Sequence, residues 1–171
     1  MIAIRSEKLG DAAAVRIVNE KAFSRPVEPD LVDKLRVFCP EAVSLVAESE
    51  GVIVGHILFT PVMLQTRTKR IAGMGLGPMA VVPERQNQGI GSQLVTAGLE
   101  VLRQQACPFV VVLGHAEYYP RFGFTPASRR GIHCPWEGVP DNVFMAIALD
   151  ETAMSGAAGV ARYRDEFNEA I

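Results

Sequence analysis

Apolar residues along the chain follow two periods, one typical of strands and one typical of helices. Short runs of branched apolar residues predict strands at residues 2–5, 44–48, 52–59, 71–82, 109–113 and 143–149. Apolar residues three or four positions apart predict a helix after Asp11, a second short helix from Pro29, and a long helix over 91–105. We expect the carboxylate of Asp11 to cap the first helix. The long helix is apolar on two sides, which indicates that it packs on a sheet.

Turn signals separate these elements and set their order. Glu50-Gly51 predicts a hairpin, and a short helical turn over 116–122 is expected to end at Gly123. The resulting order, β-α-α-β-β-β-α-β-α-β, predicts a mixed sheet with helices on its faces, an α/β or α+β domain. We place a single domain at residues 1–150. The remaining residues, 151–171, are expected to be a partly mobile extension with a short helix.

Composition and charge exclude several classes of protein. A chain of 171 residues with 49% hydrophobic and 21% charged residues is typical of one folded domain. The net charge of −2 disfavours a nucleic-acid binder. The three cysteines lack the C-x-x-C spacing of a zinc site or a disulfide framework, so we expect no metal. No apolar run approaches the roughly 20 residues of a membrane span, and no secretory signal is visible. We therefore expect a cytoplasmic protein that does not bind membranes.

The most informative segment covers residues 79–92, where a strand ends at Pro83, a polar loop follows, and a helix opens at Gly89 and Gly91. The first backbone N–H groups of a helix lack partners inside it, and the helix dipole places partial positive charge there. The segment therefore predicts a loop that binds a pyrophosphate. A Walker A loop would need a lysine after Gly91, and a Rossmann fingerprint would need a glycine at Leu94. A helix start that binds nothing is the alternative.

Three glycines alternate along the strand before this loop. Gly73, Gly75 and Gly77 share one face if the strand is regular. Their spacing predicts a stretch of bare backbone on which an extended ligand docks, in the way that a peptide adds to a sheet. The alternative is a weak, kinked strand, because Pro78 also removes a backbone donor.

Two motifs together resemble the GNAT superfamily of acetyl-CoA-dependent N-acetyltransferases. The first is Gln86-x-x-Gly89-x-Gly91, and the second is Tyr119-x-x-x-Gly123-Phe124. A helix and a strand separate the two motifs, as in that superfamily, and the likeness covers roughly residues 43–125. Flanking residues further resemble a bacterial branch of predicted acetyltransferases. The resemblance implies a mixed, mostly antiparallel central sheet with helices on both faces and a splay after the fourth strand.

The resemblance also implies a site for acetyl-CoA as cosubstrate. The strand before the loop would bind the pantetheine arm through its backbone, and the loop would bind the pyrophosphate. The residues so implied are Met79, Ala80, Val81, Arg85, Gln86, Asn87, Gln88, Gly89, Ile90, Gly91 and Ser92. Tyr119 would protonate the departing CoA thiolate, since a phenol with a pKa of about 10 is protonated near neutral pH. A packing role for Tyr119 is the alternative.

The sequence does not identify the general base or the acceptor. His115 and Glu117 are favoured as bases because they lie close to Tyr119 along the chain, and His56 and Glu84 are further candidates. The acceptor would be a small-molecule or protein amine, with no nucleic acid expected, and the protein would be a monomer or a homodimer. A non-catalytic acyl-CoA-binding or regulatory module of the same fold is the alternative function.

Overall fold

The structure is a computed structural model that describes residues 1–170, which form three α-helices and nine β-strands. The helices are α1 (Ala12–Phe23), α2 (Val27–Phe38) and α3 (Ile90–Gln104). The strands are β1 (Ile2–Ser6), β2 (Val43–Ser49), β3 (Val52–Gln65), β4 (Arg70–Val81), β5 (Phe109–Leu113), β6 (Thr125–Pro126), β7 (Ile132–His133), β8 (Phe144–Ala148) and β9 (Gly159–Arg162). Short 3₁₀ turns connect several of them.

The chain divides into two compact units. The first contains residues 1–60 and 77–100 and the segment from Asp165 onwards, and the second contains residues 61–76 and 101–164. β3, β4 and α3 each contribute residues to both units. Strand pairing is antiparallel except between β4 and β5 and between β7 and β9.

In the first unit, β1, β2 and β3 form antiparallel ladders with helices on both faces. Alternate residues of β3 point to opposite faces. His56 hydrogen-bonds to Asn19 of α1 on one face. On the other face α3 packs so closely that a Cβ at Gly98 would lie 2.3 Å from the ring of Phe59. Only glycine at position 98 allows this distance between α3 and β3.

The second unit is built on the hairpin of β3 and β4, which turns at residues 66–69. The turn is closed by Thr66 N–H donating to the carbonyl of Lys69 at 3.0 Å. β4 pairs with β5 over Met74–Leu76, and β5 continues to β8 and β6. β9 pairs with β3 on one side and β7 on the other. The buried core under these strands contains Val62, Leu64, Phe109, Val111, Ala127, Ile132, Phe144, Ala146, Met154, Ala157 and Ala161.

The structure differs from the sequence-based expectations at three places. Asp11 does not cap α1 with its side chain. Its carboxylate instead accepts from the backbone N–H of Lys8 at 2.7 Å and forms an ion pair with Arg5. The expected helix near the end is a 3₁₀ turn at Asp165–Glu169, and Gly159–Arg162 forms β9, a strand that we did not expect. The boundary at residue 150 stays a prediction.

None of the helices in the described chain, residues 1–170, has the length and apolar character that crossing a bilayer requires.

Candidate active site

The end of β4 and the start of α3 hold the predicted pyrophosphate loop in the first unit. The chain passes from Val81 through the 3₁₀ turn Pro83–Arg85 and reaches α3 at Ile90. The side-chain Nε2 of Gln86 donates to the backbone carbonyl of Val81 at 2.9 Å. The hydrogen bond ties the loop back to the end of the strand, so the strand end and the loop are held in one arrangement.

The loop backbone is open towards its outer side. Asn87 and Gly89 adopt the left-handed region, with φ of +60° and +82°. No atom of residues 1–170 outside the immediate neighbours lies within 4 Å of where a Cβ at Gly89 would stand. The first N–H groups of α3 follow directly, and these have no acceptors inside the helix. An anion can therefore approach the backbone closely at the positive end of the helix dipole.

Arg85 supplies a positive side chain beside this loop. Its Nε donates to Oε1 of Gln88 at 3.3 Å, and its Nη2 donates to Oγ of Ser49 at 3.3 Å. Within residues 1–170 Arg85 forms no ion pair, so its charge is not neutralised by a carboxylate. These hydrogen bonds hold the guanidinium in place next to the loop.

Two of the implied cosubstrate residues, Ala80 and Ile90, can contribute only through their backbone. The side chains of Ala80 and Ile90 are buried, and a Cβ on Gly55 of β3 would lie 3.2 Å from Cγ2 of Ile90. Met79 and Val81 are half-buried on β4, and Ser92 is half-buried in the first turn of α3. Gln86, Asn87 and Gln88 are exposed, and Gly91 is half-buried at the helix start.

The expected stretch of bare backbone is wrong at two of its three glycines. A Cβ at Gly73 would lie 2.5 Å from the ring of Phe109, and one at Gly75 would lie 2.8 Å from the ring of Tyr163. Both glycines are therefore covered by aromatic side chains of the same unit rather than open to a ligand. Gly77 has a φ of +147° and open space where its Cβ would be.

Tyr119 lies in the second unit, in a 3₁₀ turn that follows β5. The turn spans Tyr119–Phe122 and ends at Gly123, whose φ is +100°. The ring of Tyr119 is almost buried and packs edge-on against Phe124, with ring centroids 5.7 Å apart. A Cβ at Gly114 would lie only 2.4 Å from Cε2 of Tyr119. The position of the ring therefore depends on a glycine at 114.

The environment keeps the hydroxyl of Tyr119 protonated. Burial raises its pKa well above the usual value, and the neighbouring Tyr118 raises it further. Among residues 1–170 the hydroxyl has no hydrogen-bond partner. A protonated phenol without a partner in the chain is suited to donate a proton to a bound molecule.

His115 and Glu117 lie in the turn that leads to Tyr119, and both side chains are exposed. The backbone carbonyl of His115 accepts from the N–H of Tyr118 at 3.1 Å. The three predicted catalytic residues lie in one five-residue segment, residues 115–119, because they are neighbours in the sequence. Glu84, the other carboxylate candidate, is exposed in the first unit, 3.8 Å from Nζ of Lys21.

His56 is not placed to act as a base on a bound molecule. Its side chain is completely buried between Ser44 and Asn19, with Nε2 3.0 Å from Oγ of Ser44 and Nδ1 3.2 Å from Nδ2 of Asn19. Burial and, to a lesser extent, the charge of Arg36 lower the pKa of His56 to about 3. His56 is therefore a neutral core residue.

The structure adds two supporting residues that the sequence reasoning missed, Ser49 beside Arg85 and Gly114 beside Tyr119. Ser49 is 36 positions from Arg85, so no local pattern points to it. In residues 1–170 no three His, Cys, Asp or Glu side chains are grouped so that they could hold a metal ion.

Comparisons with known proteins assign the chain to a class. The family model described as an acetyltransferase (GNAT) domain matches residues 3–127. The uncharacterised N-acetyltransferase YjhQ of Escherichia coli K12 is 43% identical over 129 residues, which are 74% of this chain and 71% of that protein. The chain belongs to the GNAT family of acetyltransferases, as the two motifs predicted, and it is an acyltransferase.

Two solved structures confirm the predicted fold class. The GNAT family N-acetyltransferase YhbS from Escherichia coli, crystallised in complex with CoA, matches with a TM-score of 0.89 at 31% identity. The match covers 98% of this chain and 92% of that one. A GNAT family acetyltransferase from Brucella melitensis, in complex with acetyl-CoA, matches with a TM-score of 0.76 at 34% identity and covers 98% of both chains.

Proposed function

We propose that the protein transfers an acetyl group from acetyl-CoA to a primary amine, by direct attack of the amine on the thioester. The observation that carries the proposal is the loop at the start of α3, where Gly89 leaves open space beside the first N–H groups of the helix, which have no acceptors inside it. The two similar solved proteins are in complex with CoA and with acetyl-CoA, ligands that both contain a pyrophosphate.

The residues of the loop fit the pyrophosphate of acetyl-CoA. The left-handed backbone at Asn87 and Gly89 and the first turn of α3 would donate N–H groups to its oxygens. Arg85 would add a charge that no carboxylate of residues 1–170 neutralises. The backbone of Met79 and Val81, at the end of β4, would bind the pantetheine amides.

The reaction forms one bond and breaks another. The neutral amine attacks the thioester carbon, and a backbone N–H near Met79 would stabilise the tetrahedral oxyanion. The carbon–sulfur bond then breaks, and the hydroxyl of Tyr119 would give its proton to the leaving thiolate. With its raised pKa, Tyr119 is protonated at neutral pH, which is the state in which it can donate.

The proton that the amine loses would pass to His115 or Glu117, directly or through water. Both side chains are exposed and lie within four residues of Tyr119 along the chain, which supports them over the buried His56. The resulting phenolate of Tyr119 would regain a proton from solvent before the next turnover. We further propose a cytoplasmic monomer or homodimer whose acceptor is a small-molecule or protein amine.

A panel of amines tests the proposed function. Purified protein is mixed with acetyl-CoA and with aliphatic mono- and polyamines, amino acids, or peptides that carry a free N-terminus or a lysine. We expect thiol release above the rate of acetyl-CoA hydrolysis with at least one amine class. Tight binding of acetyl-CoA in calorimetry without thiol release across the panel would instead indicate a non-catalytic acyl-CoA-binding module.

A further inference from the structure

Basic side chains gather on one solvent-exposed face of the second unit, where β4, β3, β9 and β7 lie side by side. We call this surface the basic face. Its members are Arg67, Lys69, Arg70, His133 and Arg162, and all five are exposed. The first two lie in the turn of the β3–β4 hairpin, and the others lie on β4, β7 and β9.

Strand register places Arg70 and His133 in one row. Gln65 of β3 is paired with Val160 of β9, and Val160 is paired with His133 of β7. On the other side of Gln65, Arg70 donates from Nε to its Oε1 at 3.0 Å. Arg70, Gln65, Val160 and His133 therefore form one row across four strands, with neighbouring Cβ atoms about 5 Å apart.

Arg162 extends the basic face by a second row. It is paired with Met63 of β3, two residues before Gln65, so both point to the same exposed side. Four strands at about 4.8 Å spacing span roughly 14 Å, the length of about four residues of extended peptide. The basic face is thus a compact surface rather than a long groove.

The charges of the basic face are not neutralised by the chain. Within residues 1–170 none of its five members forms an ion pair. The segments 61–76, 131–136 and 159–164, which build the face, contain no Asp or Glu. By contrast, Arg130 in the same unit forms an ion pair with Glu151 at 2.7 Å. Unneutralised guanidinium and ammonium groups at this spacing attract a partner of opposite charge.

We propose that the basic face docks an acidic segment of a partner protein, a run of about four Asp or Glu residues. Arginine binds carboxylates through paired N–H donors, and Arg67, Arg70 and Arg162 can each supply such donors. The uncharged residues of the face favour a peptide over a nucleic acid. They are Met63, Gln65, Ala72 and Val160, which offer apolar and amide contacts but no aromatic ring on which a base could stack.

Peptide binding to the full-length protein tests the proposal without any acetyl transfer. The probe is a fluorescein-labelled peptide with four consecutive glutamates between Gly-Ser flanks, followed by fluorescence anisotropy at low and at physiological salt. The test variant is Lys69→Gln with Arg162→Gln. The matched control is Lys8→Gln with Arg103→Gln, which removes the same charge from exposed side chains that form no ion pair within residues 1–170.

We expect the test variant to lose at least fivefold in affinity and the control to stay within twofold of the wild type. Binding should weaken as salt is added, because exposed charges are screened. Thermal unfolding should be unchanged in both variants, since the substituted side chains are exposed. The proposal is overturned if the wild type does not bind the peptide, or if the test variant and the control lose affinity for the peptide to the same extent. It is also overturned if a single-stranded RNA with the same number of charges binds more tightly than the peptide.

Discussion

The side-chain amide of Gln86 donates to the backbone carbonyl of Val81 at 2.9 Å, and this hydrogen bond joins the end of β4 to the loop before α3. The two parts that it joins are those proposed to bind the pantetheine and the pyrophosphate of acetyl-CoA. We therefore propose that Gln86 acts on the cosubstrate through the backbone that it positions.

Replacement of Gln86 should weaken acetyl-CoA binding. Gln86→Met retains the length of the side chain but removes the donor to Val81. A net contribution of about 1 kcal/mol from this hydrogen bond corresponds to a roughly fivefold rise in KM for acetyl-CoA, with kcat nearly unchanged. Gln105→Met, at an exposed position, is the matched control. Steady-state kinetics with varied acetyl-CoA measures both values. An unchanged KM for Gln86→Met would show that Gln86 does not position the backbone for acetyl-CoA.

Removal of one hydroxyl tests the proton donor. Tyr119→Phe should lower kcat by roughly 100-fold, the usual size of a general-acid contribution, while KM for acetyl-CoA changes less than twofold. Tyr118→Phe is the matched control, because it removes the neighbouring hydroxyl from the same segment. Since burial raises the pKa of Tyr119, wild-type kcat should not fall through loss of its proton between pH 7 and pH 9. Full turnover by Tyr119→Phe would exclude Tyr119 as the acid.

The close approach of Gly114 to Tyr119 predicts that displacing the ring of Tyr119 also lowers kcat. Gly114→Ala would place a methyl carbon 2.4 Å from Cε2 of Tyr119, so the ring must move. We expect kcat to fall at least tenfold and the free energy of unfolding to fall by about 1–3 kcal/mol. Gly10→Ala is the control, since its Cβ would meet no atom within 4 Å. Wild-type kcat in Gly114→Ala would show that the ring position does not matter for turnover.

The buried His56 should make the protein sensitive to acid. Its pKa is lowered to about 3 in the folded state, whereas the unfolded chain takes up a proton near pH 6.5. The unfolded state therefore binds more protons between these values, and the free energy of unfolding should decrease as the pH falls from about 6.5 towards 3. The slope contributed by His56 is at most about 1.4 kcal/mol per pH unit.

Urea unfolding at pH 7 and at pH 5 measures this slope. His56→Gln should be less stable at pH 7, because a packed and hydrogen-bonded ring is lost, but its stability should depend less on pH. His133→Gln, at an exposed position, should keep the wild-type dependence. An equal pH dependence in His56→Gln and the wild type would mean that His56 is not the group responsible.

Elements with a strong local pattern could be predicted from the sequence. The continuous apolar run of β5 was placed at its observed bounds, Phe109–Leu113, and α3 within one residue at each end. β6 and β7 are only two residues long, so no period can identify them. β9 lies in a segment rich in alanine and glycine, and it is a strand because β3 and β7 flank it.

The candidate site also has parts that the sequence predicts and parts that it does not. The loop around Gly89 and the turn of Tyr119 are continuous in sequence, so their motifs could be read directly. The contacts of Gly73 with Phe109 and of Gly75 with Tyr163 join residues far apart along the chain. The alternate spacing of these glycines predicts that they share one face of the strand, but it does not predict whether a ligand or the protein covers that face.

The most direct test of the account is the stoichiometry of transfer with the best acceptor from the amine panel. Free CoA thiol is measured with a thiol reagent, and acetylated amine is measured by mass spectrometry of the same samples. Direct transfer predicts equal amounts of both products at every time, no product without amine, and no acetylated enzyme when amine is omitted. Thiol release without acetylated amine, or an acetyl-enzyme that accumulates before the amine is added, would contradict the account.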